Sequence, residues 1–97
     1  MFRIEFTPEA LDDIRQLRPY EQRQIIDRLQ TQLLHQPDQV TRNRKRLRPN
    51  RLAEWELRID TFRVFHDVDA EHAVVKIVAI GYKHGNRLYI HGEEYEI

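Results

Sequence analysis

The spacing of apolar residues changes along this chain, and each change predicts a different element. At the start, Phe2, Ile4 and Phe6 alternate with charged residues, which is typical of a half-buried strand. From residue 7 the spacing becomes helical, and Thr7-Pro8 suits a helix start because Thr is a good N-cap and Pro fits the first helical position. The predicted buried stripe of this helix consists of Ala10, Leu11, Ile14 and Leu17.

A second helix is predicted directly after the first. Arg18-Pro19 ends the first helix, because the residue before proline is driven out of helical geometry, and Pro19 can begin the next one. Pro37-Asp38 ends the second helix. Its predicted buried face consists of Tyr20, Ile25, Ile26, Leu29 and Leu33. The two helices therefore form a hairpin whose apolar stripe covers one face of a sheet.

Three strands are predicted in the second half, over residues 53–59, 62–68 and 73–80, joined as an antiparallel meander. The third is almost continuously apolar, as expected for an interior strand covered on both faces. After it, residues 81–92 contain three glycines and are predicted to be irregular. The core residues of the hairpin are predicted to be Trp55, Leu57, Phe62 and Val64. The predicted fold is α+β, with an N-terminal strand and a two-helix hairpin packed on a mainly antiparallel four-stranded sheet.

The hairpin between the first two strands of the meander places two arginines side by side. With Asp60-Thr61 as a two-residue turn, Arg58 faces Arg63 across the strands. Like charges directly opposite each other destabilise a sheet, so the pair indicates a partner that carries phosphate or carboxylate. A solvated cluster in which nearby Glu56 and Asp67 balance the arginines is the alternative.

Composition narrows the class of protein. The 97 residues are 40% hydrophobic, which fits one domain spanning residues 1–97. The absence of cysteine excludes disulfides and thiol catalysis, and no apolar run suits a signal peptide or a bilayer crossing. We therefore expect a soluble cytoplasmic protein with no membrane partner. The five histidines lack metal-site spacing, so neither a metal nor another cofactor is expected, and His66 is expected to be a hydrogen-bonded histidine in the core or at its edge.

Net charge is zero, but the charges are unevenly distributed. Residues 1–51 hold 11 basic and 7 acidic side chains, whereas residues 52–97 hold 5 and 9. Most of the basic excess lies in residues 42–51, which we call the basic segment. Its six cations are Arg42, Arg44, Lys45, Arg46, Arg48 and Arg51. Clustered cations repel one another, so this segment predicts contact with RNA or with an acidic partner chain.

The order of these elements resembles the RelE/ParE superfamily of bacterial type II toxins. The resemblance is carried by Phe6-Thr7-Pro8-Glu9-Ala10, by Trp55-Glu56-Leu57-Arg58 with Phe62-Arg63-Val64-Phe65, and by residues 81–89, Gly-Tyr-Lys-His-Gly-Asn-Arg-Leu-Tyr. It covers the chain up to about Ile90. It implies a cognate antitoxin as partner, and either metal-independent cleavage of messenger RNA on the ribosome or, for ParE-like members, poisoning of DNA gyrase.

The resemblance also implies roles for single residues. Arg63 would hold the scissile phosphate, Lys83 would supply a further cation, and Tyr89 would orient or protonate groups. The chain departs from RelE proper at Glu54 and Glu56, where RelE has lysines that serve acid–base and charge roles. Other branches use Glu with His, a pair that Glu56 and His84 could supply.

Cleavage through the 2′-hydroxyl needs a base, cations on the phosphorane and an acid for the departing oxygen. The candidate catalytic residues are Glu56, Arg58, Arg63, Lys83, His84 and Tyr89. The leading hypothesis is an mRNA endonuclease. The alternatives are a gyrase-binding poison that breaks no bond itself and an inactive scaffold that only binds its partners.

Overall fold

The computed structural model describes residues 1–96, which form two helices and seven strands. Ile97, the last residue of the predicted domain, lies outside the described residues. In chain order the elements are β1 (Arg3–Phe6), α1 (Pro8–Arg15), α2 (Pro19–Leu33), β2 (Arg44–Arg46), β3 (Trp55–Ile59), β4 (Phe62–Asp69), β5 (Val74–His84), β6 (Arg87–Ile90) and β7 (Glu93–Tyr95). The α+β class and the N-terminal strand are confirmed.

Both helices begin at the predicted prolines. Thr7 caps α1, because its Oγ1 accepts a hydrogen bond of 3.1 Å from the backbone N–H of Ala10. The N–H of Arg18 donates to the Glu21 carboxylate at 3.0 Å, which satisfies one free donor at the start of α2. α2 ends at Leu33, before the predicted Pro37. Neither of these helices is long and apolar enough to cross a membrane, within residues 1–96.

Two residues of the predicted helix stripes are exposed, so those assignments were wrong. Leu11 is 36% exposed and Tyr20 is 56% exposed. On α1 the buried positions are Ala10 and Ile14, four residues apart, which leaves Leu11 about 100° around the helix from Ala10. On α2 the buried stripe contains Ile25, Leu29 and Leu33, and Tyr20 lies outside it.

The described strands form one sheet in the order β2-β3-β4-β5-β6-β7, with antiparallel neighbours throughout. β1 pairs in parallel with the first half of β5, whereas β6 pairs with its last three residues. Between them, α1 satisfies the free backbone of β5: Thr7 donates to the carbonyl of Val78 at 3.2 Å, and Asp13 accepts from the N–H of Ile80 at 3.0 Å.

The sheet is larger than the predicted four strands. β2 lies inside the basic segment, and β5 continues past Ile80 into the region that was predicted to be irregular. That region also contains β6, and β7 follows it directly. Turns in which Gly85 and Gly92 have positive φ separate these strands from β5 and from each other. β2 and β7 are three residues long and rich in charge, so their sequences lack the apolar alternation that marks a half-buried strand.

Apolar residues cover the sheet on both faces, but unequally. The helices pack on one face over a large core that includes Leu57, Val64 and Ile77. On the other face, which we call the open face, a smaller core contains Ala53, Phe65, Ala79, Leu88 and Ile90. The prediction of β5 as an interior strand is therefore confirmed, and so is the burial of Trp55, Leu57, Phe62 and Val64.

Candidate anion-binding site

The β3–β4 hairpin has the predicted register. Ile59 pairs with Phe62, Arg58 with Arg63 and Leu57 with Val64, around a turn at Asp60-Thr61 in which Asp60 has a φ of 52°. Because Leu57 and Val64 lie in the helix-side core, the alternating Arg58 and Arg63 leave the sheet on the open face. The two arginines are therefore neighbours on one surface, as predicted.

Around this pair lies a hollow of about 270 Å³, which we call the cationic cleft. Its wall includes Arg42, Lys45, Glu56, Arg58, Arg63 and Lys83. Four elements or their connections supply these residues, because β2 lies beside β3 and β5 lies beside β4. With Arg44, which also lines the hollow, six basic residues surround one carboxylate, an arrangement suited to a ligand with negative charge.

Backbone carbonyls hold the guanidinium of Arg63 in place. Its Nη1 donates to the carbonyl oxygen of Asp60 at 2.8 Å and to that of Phe62 at 2.9 Å. Burial lowers the pKa of Arg63, with Glu56 opposing that shift and Arg58 adding to it. The side chain is thus a partly desolvated cation whose position is set before any ligand arrives, which strengthens its attraction for an anion.

The only carboxylate of the described cleft wall pairs with a lysine. Lys45 Nζ lies 3.6 Å from a carboxylate oxygen of Glu56, whose side chain is 13% exposed. Lys45 and Glu56 are direct partners across β2 and β3. Within residues 1–96, no carboxylate lies within ion-pair distance of Arg58, Arg63 or Lys83. The alternative cluster, in which Glu56 and Asp67 balance the arginines, therefore makes no ion pair with either arginine, since Glu56 contacts Lys45 and affects Arg63 only through its charge.

The structure separates His84 and Tyr89 from the other candidate catalytic residues. Tyr89 pairs with Tyr82 across β5 and β6, and their rings stack with centroids 5.3 Å apart. Tyr82 and His84 flank Lys83 on β5, so alternation directs them to the face opposite Lys83. Glu56, Arg58, Arg63 and Lys83 come together in the cleft, whereas His84 and Tyr89 do not.

Comparison with known families agrees with this fold. Residues 4–89 match the profile of the ParE toxin of type II toxin–antitoxin systems, parDE. The chain belongs to this toxin family. The resemblance predicted from sequence is thereby confirmed, and the protein is the toxin of a type II toxin–antitoxin system in the RelE/ParE superfamily. No curated protein sequence matches the toxin.

Two solved structures are similar to the toxin in fold. The toxin–antitoxin complex RelBE2 from Mycobacterium tuberculosis contains a chain with 24% identity and a TM-score of 0.72, and the match covers 84% of the toxin and 98% of that chain. The intact RelBE complex from E. coli contains a chain with 21% identity and a TM-score of 0.69, over 87% of the toxin and 99% of that chain. At these identities the likeness establishes the fold alone.

The six cations of the basic segment have different environments in the toxin. Arg42 and Lys45 border the cleft. Arg46 lies with its guanidinium carbon 5.7 Å from the centre of the Trp55 ring and its Nη2 3.8 Å from Glu54. Arg48 and Arg51 are exposed on the connection between β2 and β3, beside a separate hollow of about 600 Å³. The segment is therefore partly sheet, partly cleft wall and partly loop.

The expectation that every cation of this segment is available to RNA or a partner is wrong for Arg44. Arg44 is only 6% exposed, because its side chain faces the helix side of β2, opposite Leu57. Its Nη1 donates to the carbonyl oxygen of Gln36 at 2.8 Å, and burial lowers its pKa although Asp38 opposes that shift. Arg44 therefore ties β2 to the end of α2.

Asn50 organises the loop that carries Arg48 and Arg51. Its amide nitrogen donates to the carbonyls of Arg48 and Ala53 at 2.6 and 2.9 Å, and its amide oxygen accepts from the N–H groups of Leu52 and Ala53 at 2.7 and 3.1 Å. All the strong bonding positions of this side chain are thus used within the loop. A turn-forming Asn after Pro49 is a sequence signal for such a loop, although it does not reveal these partners.

His66 is buried as predicted. It is 0% exposed, its ring stacks on Trp55 with centroids 6.5 Å apart, and its Nδ1 lies 3.3 Å from the carbonyl of Val64. Burial lowers its pKa to about 4, with the hydrogen bond to Val64 opposing that shift and Arg44 adding to it. His66 is therefore a neutral core residue at pH 7. In the part of the chain that the structure describes, no three side chains of the metal-ligating types cluster together.

Proposed function

We propose that the toxin is a metal-independent endoribonuclease that cleaves messenger RNA at the ribosome. The observation that carries this proposal is the pair Arg58 and Arg63, held side by side in a cleft with Glu56 and without carboxylate partners among residues 1–96. A planar guanidinium donates two parallel hydrogen bonds to phosphate oxygens, so two of them can hold a phosphodiester and stabilise its pentavalent state.

The proposed chemistry assigns one task to each part of the cleft. The 2′-oxygen attacks the phosphorus while Glu56 takes its proton, and the bond from phosphorus to the 5′-oxygen breaks. Arg58, Arg63 and Lys83 stabilise the extra negative charge. The ammonium group of Lys45 or Lys83 donates the proton that the departing oxygen needs. This assignment omits His84 and Tyr89, which lie on the opposite face.

The test is cleavage of message by translating ribosomes to which the purified toxin is added. We expect Arg63→Ala to slow cleavage by about 10²- to 10³-fold, because it removes a charged donor aimed at the phosphate. Arg63→Lys should be intermediate, since it keeps the charge but loses the planar donor pair. Arg15→Ala, on the exposed end of α1, is the matched control and should cleave like the wild type.

Thermal unfolding of each variant separates loss of chemistry from loss of fold. A folded Arg63→Ala protein that cleaves at the wild-type rate would contradict the proposed site.

A second candidate function is poisoning of DNA gyrase without bond breaking by this chain. Two observations favour it: the matching family profile is that of ParE toxins, and no histidine borders the cleft within residues 1–96. Intact message together with gyrase-dependent DNA breaks in treated cells would establish this candidate and exclude the first.

We also infer that an antitoxin covers part of the basic surface. Both similar structures are toxin–antitoxin complexes, and Arg48 and Arg51 are exposed cations on an ordered loop. An acidic segment of the partner would relieve their repulsion. Reversing both charges to glutamate should weaken rescue of growth by the product of the neighbouring reading frame. Unchanged rescue would place the antitoxin on another surface.

A further inference from the structure

One face of α2 lies beside the tip of the β3–β4 hairpin. Gln24 and Arg28 are four residues apart, so they occupy the same side of the helix. The side-chain amide of Gln24 donates a hydrogen bond to the carboxylate of Asp60 in the hairpin turn. This contact places Arg28 near the hairpin although 30 residues separate it from Arg58 in the sequence.

A second hollow, of about 320 Å³, lies at this junction. Arg28, Arg42, Asn43, Arg58 and Asp60 form its described wall. The backbone N–H of Arg58 donates to the carbonyl of Asn43 at 2.7 Å, which joins the turn before β2 to β3. Three guanidinium groups and one carboxylate give the wall a charge of +2, and that carboxylate already accepts a bond from Gln24.

The three arginines of this hollow have no ion-pair partner within the described chain. Such a cluster repels itself unless an anion enters. The hollow also adjoins the cationic cleft, because Arg42, Asn43 and Arg58 border both. An anion bound in each hollow would therefore be held partly by the same arginine, Arg58.

We propose that Arg28, Arg42 and Arg58 form a second phosphate subsite, which binds the phosphodiester next to the one held in the cleft. The proposal rests on the proposed function, because it assumes that a nucleic-acid strand occupies the cleft. The ligand class follows from the wall, which in the described residues contains only charged and amide side chains. A phosphate backbone needs no more than this, whereas an acidic peptide would also bring apolar side chains that need an apolar wall.

Binding of short uncleavable oligonucleotides to the full chain tests the subsite. The probes are a 2′-deoxy dinucleotide, whose one phosphodiester can fill the cleft alone, and a 2′-deoxy tetranucleotide that can reach both hollows. Arg28→Gln should weaken binding of the tetranucleotide by about tenfold at low salt and leave that of the dinucleotide unchanged. The salt dependence for the tetranucleotide should also fall, with a slope of log K against log salt smaller by about 0.7.

Arg23→Gln is the matched control, since it removes an exposed arginine of the same helix that does not border the hollow. It should change neither affinity nor slope beyond the effect of net charge. Arg28→Lys should keep most of the slope, because the subsite needs a cation there. Circular dichroism of each variant confirms that the helix is intact.

The outcomes separate this proposal from the nuclease proposal. Equal tetranucleotide binding by Arg28→Gln and Arg23→Gln, with Arg63→Ala weakened, would overturn the subsite and leave the cleft assignment standing. An Arg28 effect in a toxin that cleaves no message would support the subsite and reject the nuclease. Equally strong competition by oligoglutamate at matched charge would overturn the assignment to phosphodiester.

Discussion

The two faces of the central sheet differ in what their side chains do, although the same three strands supply both. On the helix side, Leu57, Val64 and Ile77 are at most 1% exposed and pack against α1 and α2. On the open face, the alternate positions Arg58 and Arg63 carry charge toward solvent. Because neighbouring residues on a strand point to opposite faces, a substitution at Leu57 or Val64 changes stability, whereas a substitution at Arg58 or Arg63 changes binding.

The open face is itself divided into two ends. At one end Phe65, Ala79, Leu88 and Ile90 make a small core, and at the other end lies the cationic cleft. Gly81 stands between them, directly opposite Arg63, and a Cβ there would come within 2.5 Å of the carbonyl oxygen of Tyr89. The absence of a side chain at residue 81 thus lets β6 pack closely while the cleft stays open beside it.

The largest expected effect concerns the small core. Phe65→Ala should lower the free energy of unfolding by about 3–5 kcal/mol, because Phe65 is 0% exposed and the space that it leaves cannot fully collapse. Urea denaturation measures the change. A loss below about 1 kcal/mol would mean that the open face does not support the fold, and that the helix-side core alone maintains it.

The next largest effect is a dependence of the free energy of unfolding on pH, which comes from the buried His66. The folded pKa of His66 is about 4 and its ordinary value is 6.5, so between these values the unfolded chain binds a proton that the folded protein does not. The contribution of His66 to the free energy of unfolding is complete above pH 6.5. It falls as the pH drops, and the loss reaches about 3 kcal/mol near pH 4.

Comparison of variants isolates this contribution. His66→Phe should remove the loss between pH 6.5 and 4, whereas His35→Gln, at an exposed histidine, should retain it. Stability curves with the same slope in both variants would show that His66 does not titrate with a lowered pKa.

The smallest expected effect on stability concerns two lysines of β5, of which only Lys83 should contribute to binding. Lys83 borders the cleft, whereas Lys76 is exposed on the same strand beside a different hollow. Lys83→Ala should reduce the salt slope of single-stranded RNA binding by about 0.7, and Lys76→Ala should leave it unchanged. Both should change stability by less than about 0.5 kcal/mol. Equal salt slopes for the two variants would show that Lys83 does not contact the RNA backbone in the cleft.

Much of the fold was predictable because its signals are local. The N-cap Thr7 and the helix-starting Pro19 act on the helices that begin there, and the register of β3 and β4 follows from a two-residue turn. The facing of Arg58 and Arg63 is a consequence of that register. Three of the candidate catalytic residues, Glu56, Arg58 and Arg63, meet in the cleft for the same reason. Lys83 joins them because β5 continues past Ile80, which was not predicted.

The remaining features depend on contacts between distant segments. The helices, the meander and the facing arginines could be predicted, because caps, turns and period-two alternation act over a few residues. The burial of Arg44 against Gln36, the stacking of Tyr89 away from the cleft and the approach of Arg28 to the hairpin could not be predicted in this way. Each of these positions follows from which elements pack together, and short charged strands or single polar contacts carry too little local pattern to predict that packing.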